Sequence, residues 1–436
     1  MTRRELLTSM PLLAGSRAAR AGPRLEISAA RLREQLESLS LYGRPAAGNF
    51  SDGVSRIGYS DADLAGRKYL LSLVEAAHLR ARIDAAGNIF VRKAGKDAAL
   101  SPVLFGSHID SVPNGGNFDG DLGSLAAIEI LRVLGEAGIV TRRPLDAVVW
   151  SCEEATFNGN ALNGSRAAAG KLRPGELDGI SRGLTLVDSM RRIGGDPVRL
   201  EETPLRRGAF HAYLELHIEQ GGTLDKEQTS IGIVEGIVAL DHYDVVLDGM
   251  ANHAGTTPMA DRQDALIAAA QLTLAVRELV TQEPGRQVGT VGHLEVEPNA
   301  SNVIAGRVRL SIDLRDLSTE KLQRLGEAIR ARALAIGAQT KTQIVLTQTQ
   351  HAEPALASPD VRTVIQRAAE DLKLSYRRLP SGAVHDAQVM AAMGPMGMIF
   401  VPSVGGISHS PKELTGWEDC ARGANVLLHS VLALAG

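Results

Sequence analysis

His108, Asp119, Glu153, Glu154, His217 and His409, with Asp110 two places after His108, are residue types that together can do hydrolytic chemistry. Imidazole nitrogens and carboxylate oxygens suit borderline divalent ions such as zinc, manganese or cobalt, and one carboxylate can bridge two such ions roughly 3.5–4 Å apart. A two-metal hydrolytic centre is therefore expected. It leaves one acid over. Glu153, beside the candidate ligand Glu154, can take a proton from an attacking water and return it to a leaving nitrogen. Bland alternatives exist for each residue: a lone histidine is more often a hydrogen-bonded core or surface group, and Asp119 alone could be a helix N-cap. The pattern tells against them. His108 and Asp110 have same-face strand spacing, which lets Asp110 orient the imidazole. Two adjacent acids after the apolar run 147–152 would be a costly way to end a buried strand without a function for them.

These side chains need a frame. Apolar residues recur at helical spacing over 27–41 and 62–77, and 81–91 reads as strand, turn, strand. Residues 103–106 form a short apolar strand that delivers His108 and Asp110 at its carboxyl end, where open α/β sheets place their sites. A helix over 122–136 follows, with Asp119 at its amino terminus. The strand 145–152 ends on Glu153-Glu154, and neighbouring strands would aim both sets into one crevice. In 214–221, alternation puts Glu215, His217 and Glu219 on one face. His409 lies in the glycine-bearing loop 402–411, and the glycine-rich loop 115–120 lacks the Gly-Lys-Ser/Thr ending of a phosphate cradle.

From about residue 236 the order becomes strand 241–250, helix 265–280, strands 289–297 and 303–314, helix 319–337 and strand 343–350. This is a βαββαβ, ferredoxin-like unit whose sheet has an edge free for a second copy. Helix 360–372, strand 398–401 and helix 417–434 return to the first rhythm. The expected fold is thus α/β, with a mixed-sheet di-metal hydrolase domain at 25–235 and 353–436 and an inserted dimerisation domain at 236–352.

The chain has 436 residues, more than one domain usually holds, and its 44% apolar content suffices for sizeable cores. No apolar run reaches the roughly 18 residues of a membrane span. A net charge of −3 with dispersed basic residues excludes nucleic acid as a main partner. Two cysteines, Cys152 and Cys420, are too few for a disulfide framework or a thiolate zinc site and read as buried thiols. Residues 1–24 resemble a twin-arginine export signal, with Arg3-Arg4, a short apolar stretch and a small-residue tail; they imply a periplasmic destination, with an uncleaved extension on a cytoplasmic protein as the alternative.

Taken in order, 106–113, Asn117-Phe118-Asp119-Gly120, Glu153-Glu154, 215–221, 253–259 and 408–413 resemble the hydantoinase/carbamoylase branch of the zinc aminoacylase–carboxypeptidase superfamily. That branch holds N-carbamoyl-L-amino-acid hydrolases, allantoate amidohydrolases and β-ureidopropionases. The resemblance implies that His108, Asp119 and His217 hold one metal and Asp119, Glu154 and His409 the other. Glu153 is then the general base and acid, and Asp110 orients His108. It further implies that Asn302 and Arg315 bind a substrate carboxylate, that Gln220 touches the ureido group, and that His253 reaches across a homodimer to the oxyanion. Arginine suits a planar carboxylate, which it can grip with two parallel hydrogen bonds. One departure stands out: the branch usually has an Arg-Phe pair soon after the two glutamates, whereas Ala155-Thr156-Phe157-Asn158 follow here. The implied activity is cleavage of a carbamoyl or ureido C–N bond in a small N-carbamoyl-L-amino acid. A metal-stabilised binding protein that has lost turnover is the non-enzyme alternative, and retention of Glu153 argues against it.

Overall fold

The structure, a computed structural model, describes residues 25–436 apart from Thr203. The export-signal reading of residues 1–24 lies outside the described residues. Four strands whose residues are all buried form the middle of a nine-stranded mixed sheet: Val103–His108, Leu145–Trp150, Ala212–Ile218 and Met396–Val401. They run parallel, and their apolar content on both faces is what a sheet covered by helices on both sides demands. His108 pairs in register with Trp150, so these two strands finish together and release their acids and histidine at the same carboxyl end of the sheet.

One face of this sheet packs against the helices Ala29–Leu39, Asp121–Glu136, Pro359–Asp371 and Trp417–Ala435. The other carries Trp150, Tyr213 and Phe400 beneath the short helices Asn163–Ala168 and Asp386–Met390. Several helices start on a side chain that satisfies an orphan amide: Ser28 accepts from Arg31, Ser60 from Asp63, Asp264 from Leu266 and Ile267, and Ser318 from Lys321. Their starts fall within two residues of the sequence expectation.

Between the strand Ile231–Ile237 of the large sheet and Ala239–Asp248, the chain passes into a separate antiparallel sheet. Its spatial order is Val288–Glu297, Arg307–Asp316, Ala239–Asp248, Gln343–Ala352, the ferredoxin-like arrangement. Strand Ala239–Asp248 alternates between buried and less buried positions, because the helices Ala265–Gln282 and Thr319–Thr340 cover only one face. The chain rejoins the large sheet at Ala355–Leu356.

Three readings of the sequence need correction here. The strand expected over 303–314 starts only at Arg307, because residues before it fold back on the loop after Ala239–Asp248: Ala254 donates to the Asn302 carbonyl and Ile304 to that of Asn252. Glu219 does not continue the face of Glu215 and His217. It lies past the strand, where its carboxylate caps the amides of Thr223 and Leu224. Strands Ile231–Ile237 and Tyr376–Ser381 and helix Asp386–Met390 had not been expected at all.

Candidate metal centre

Asp119 is the hub. One of its carboxylate oxygens lies 3.0 Å from His217 Nε2 and 3.6 Å from His108 Nε2; the other lies 3.5 Å from His409 Nε2. His409 Nε2 is in turn 3.6 Å from Glu154 Oε1. Two ligand groups result, His108–Asp119–His217 and Asp119–Glu154–His409, each with donor atoms within 4.8 Å of one another. Tetrahedral coordination at about 2.0–2.2 Å places donors on the order of 3.4 Å apart, so the spacing fits. Glu154 Oε1 is buried without a hydrogen-bond partner, a costly state for an acceptor unless a cation takes it. The donor chemistry and the geometry therefore both suit a pair of divalent ions.

Local folding presents the right atoms. His108 Nδ1 lies 2.9 Å from the Asp110 carbonyl oxygen and His217 Nδ1 2.9 Å from that of Ile218, so each ring turns its Nε2 toward Asp119. Gly120 has a positive φ of 66°, and a Cβ there would sit 2.3 Å from the His108 ring, so only glycine lets the Asp119 loop pass over the imidazole. Cys152 also takes a positive φ, of 49°, turning the chain sharply as it leaves the strand for Glu153 and Glu154. The thiol is buried, as is that of Cys420.

Asp110 meets His108 through its backbone. Its backbone carbonyl, not its carboxylate, holds His108; the nearer carboxylate oxygen is 3.7 Å from Nδ1. The carboxylate instead accepts from the backbone amides of Glu153 and Glu154, at 3.0 and 3.2 Å, and so fixes the pair of acids. Burial still pushes it up to about 6. Glu153 belongs to neither ligand group. It is 5% exposed, with Oε2 3.8 Å from His108 Nε2, and burial followed by the neighbouring Glu154 raises it well above the ordinary carboxylate range.

The charges around Asp119 are coupled. Burial disfavours its ionised form, but the imidazoles of His217, His108 and His409 outweigh that and hold it well below the usual range. The partner effect raises His217 to about 9 against its own burial, whereas burial lowers His108 to about 4. Gln220 donates from Nε2 to Asp119 at 2.7 Å, which brings it to the hub.

The remaining expected residues are elsewhere. His253 is exposed and Asn302 is exposed, on two loops joined by the His253–Val303 bridge, and neither belongs to a ligand group. Arg315 has its Nε and Nη2 on the Asp313 carboxylate, at 2.8 and 3.3 Å, while Nη1 donates to the Gly382 carbonyl at 2.7 Å. That last bond reaches a cleft of about 450 Å³ which Gln220 and Gly382 both line.

Several residues escaped the sequence reading. Glu413 Oε1 accepts from the amides of Phe118 and Asp119 at 2.9 and 3.1 Å, and Ser408 Oγ lies between the two carboxylates, 2.7 Å from Glu413 Oε2 and 2.9 Å from Asp119 Oδ2, with one proton to donate. Fully buried Arg56 pairs with Asp121 and donates to the carbonyls of Leu39, Tyr42 and Ile109, tying the amino-terminal helix to the ligand loop. His385, buried 4.5 Å from His217 ring to ring, is kept neutral by desolvation. Removing Glu413 tests such support without touching a ligand. Glu413→Ala is expected to weaken metal binding by about 10–100-fold. Competition with a chelator measures it, and parent-like affinity would show that the loop holds itself.

Fold and site together define a dinuclear metallohydrolase centre. The chain belongs to Peptidase family M20/M25/M40, whose sequence pattern matches residues 104–433. It is 40% identical over 410 residues to the N-carbamoyl-L-amino acid amidohydrolase of Geobacillus stearothermophilus, covering 94% of this chain and 99% of that one. It is 34% identical to the allantoate amidohydrolase of Escherichia coli K12, covering 93% and 97%. A crystal structure of a hydantoinase/carbamoylase family amidase from Burkholderia multivorans superposes with a TM-score of 0.89 at 34% identity, covering 95% of this chain and 99% of that one. The resemblance read from the motifs is thereby met.

Proposed function

We propose that this protein hydrolyses the carbamoyl C–N bond of a small N-carbamoyl-L-amino acid, with allantoate and β-ureidopropionate as the competing substrates. The observation that carries it is a buried, unligated Glu153 beside two ligand groups that share Asp119. When bound, two ions such as zinc, manganese or cobalt would polarise the substrate carbonyl and ease deprotonation of water. Within this reading Glu153 takes the proton from the attacking water and passes it to the departing nitrogen. Asp110 keeps Glu153 and Glu154 in place through their backbone amides. Gln220 at the hub contacts the ureido group, and Asn302 with Arg315 receives the carboxylate, for which Asp313 must yield part of the Arg315 fork. Ammonia release from a panel of N-carbamoyl amino acids, allantoate and β-ureidopropionate, with each metal supplied, tests it. No release from any of them would favour a binding protein.

The reading includes a homodimer. Leu266, Ile267 and Leu274 are exposed on helix Ala265–Gln282, and Leu294 is exposed on the same, helix-covered side of the edge strand beside it, an apolar face suited to a second copy. His253, exposed on the same unit and absent from both ligand groups, would then serve the partner's site. Glu153→Gln and His253→Ala should each be inactive alone, yet regain activity when mixed, since a heterodimer has one site with both residues intact. If subunit exchange is confirmed and no activity returns, the site is not shared. An export route through residues 1–24 also stays part of this proposal; fractionation of the native host's cells would test it.

A further inference from the structure

A cavity of about 570 Å³ lies along strand Ala81–Ile83, at the end of the large sheet opposite the strands from which the small domain departs. No described residue of its lining belongs to either ligand group or to the cleft beside Gln220. Its size falls within the roughly 300–1,000 Å³ usual for small-molecule sites. Ile83, Phe90 and Leu205 give it an apolar wall, and Arg82 lies across that wall with its guanidinium 4.7 Å from the Phe90 ring centre. Like Arg206 on the same lining, Arg82 has no ion-pair partner among the described residues. One acid of the lining, Asp196, is also unpaired, because the neighbouring Arg199 gives its Nε to both carboxylate oxygens of Glu202 at 3.0 Å. Asp84 is already satisfied: the amides of Ala86 and Asn88 and the Asn88 side chain donate to it at 3.0, 2.8 and 2.9 Å. The lining therefore offers two unpaired cations, one unpaired carboxylate and an apolar surface.

That set is the complement of a zwitterion. The two arginines suit a carboxylate, Asp196 suits an ammonium, and the apolar wall suits a large side chain. The cavity also leads inward. Asp84 holds Asn88, whose Oδ1 accepts from the Ser151 amide at 3.0 Å, and Ser151 Oγ donates to the Ala86 carbonyl at 3.0 Å. Ser151 stands two residues before Glu153, so a ligand that settles on the turn 84–88 bears on the segment carrying the proton-transfer acid. We propose that the cavity is a regulatory site for a free α-amino acid with a large apolar side chain, filled independently of the metal centre and felt there as a change in turnover. The change in turnover rests on the function proposed above; the binding does not.

The probe is L-phenylalanine, titrated by calorimetry into the metal-loaded protein. Arg315→Gln weakens binding in the cleft beside Gln220, so the second site is read on that background. There phenylalanine should still bind, and adding Arg82→Gln and Arg206→Gln should weaken it by about tenfold or more, the loss expected for charge-assisted hydrogen bonds. No binding to Arg315→Gln, or binding unmoved by the two added substitutions, overturns the site. On the same background 3-phenylpropionate, which lacks the ammonium, should bind about tenfold more weakly than phenylalanine, and Asp196→Asn should erase that difference. Equal affinity for the two compounds before Asp196 is changed overturns the amino-acid reading. At saturating N-carbamoyl-L-alanine, where competition for the metal centre is suppressed, phenylalanine should change kcat of the parent by about fivefold, the low end of usual coupling between sites. It should leave kcat of Arg82→Gln/Arg206→Gln unmoved. Binding with no change in the parent's kcat overturns the regulation, whereas binding without hydrolysis of any ureido acid defeats the proposed function and leaves the site standing.

Discussion

Glu153→Gln is expected to keep both ions and lose about 10²–10⁴-fold in kcat, the usual contribution of a positioned proton-transfer group. The substitution preserves shape, and the backbone amides of residues 153 and 154 keep their hold on Asp110. Only the ability to carry a proton disappears. A second readout separates this from damage to the fold. Burial and Glu154 hold the Glu153 carboxyl well above its ordinary range, so the unfolded chain ionises it more readily and its contribution to stability falls as pH rises. A neutral glutamine escapes that cost, and the metal-free variant should melt no lower than the parent at neutral pH. Parent-like turnover would remove Glu153 from the chemistry, whichever way stability moved.

What could be read from the sequence follows from how locally each signal is written. The strands that lead to His108 and to Glu153 are predominantly apolar and buried on both faces, and the acids after them contrast sharply enough to be noticed. The small sheet was legible because its longer elements show clean periodicity on one covered face. Residues 155–211 hold short helices and a two-residue hairpin, too brief for any period to emerge. Tyr376–Ser381 reads as polar because only part of it is buried. Glu413, Arg56 and His385 were missed for another reason. Each works through a partner distant in sequence, as when Glu413 reaches Phe118 and Asp119, and no single-chain pattern marks such a contact in advance. For Asp110, spacing put the residue beside His108, but spacing cannot say whether carbonyl or carboxylate makes the bond.

Asp119→Ala should strip both ions, and this is the sharper test of the dinuclear reading. Each Asp119 oxygen faces a different ligand group, so removing the carboxylate leaves His108 with His217 and Glu154 with His409, two protein donors apiece where catalytic zinc usually has three. The three imidazoles keep Asp119 ionised despite burial, so binding metal requires no deprotonation of this group, and its loss removes charge as well as geometry. Asp119→Asn discriminates further. An amide offers one acceptor oxygen and one donor nitrogen, which can serve one ligand group and not the other. Elemental analysis should therefore find no more than one ion per chain in Asp119→Asn and none in Asp119→Ala, with activity at background in both. Two ions per chain in the alanine variant would mean that another carboxylate bridges, and Glu154, whose Oε1 lacks any protein hydrogen bond, would be the group to examine.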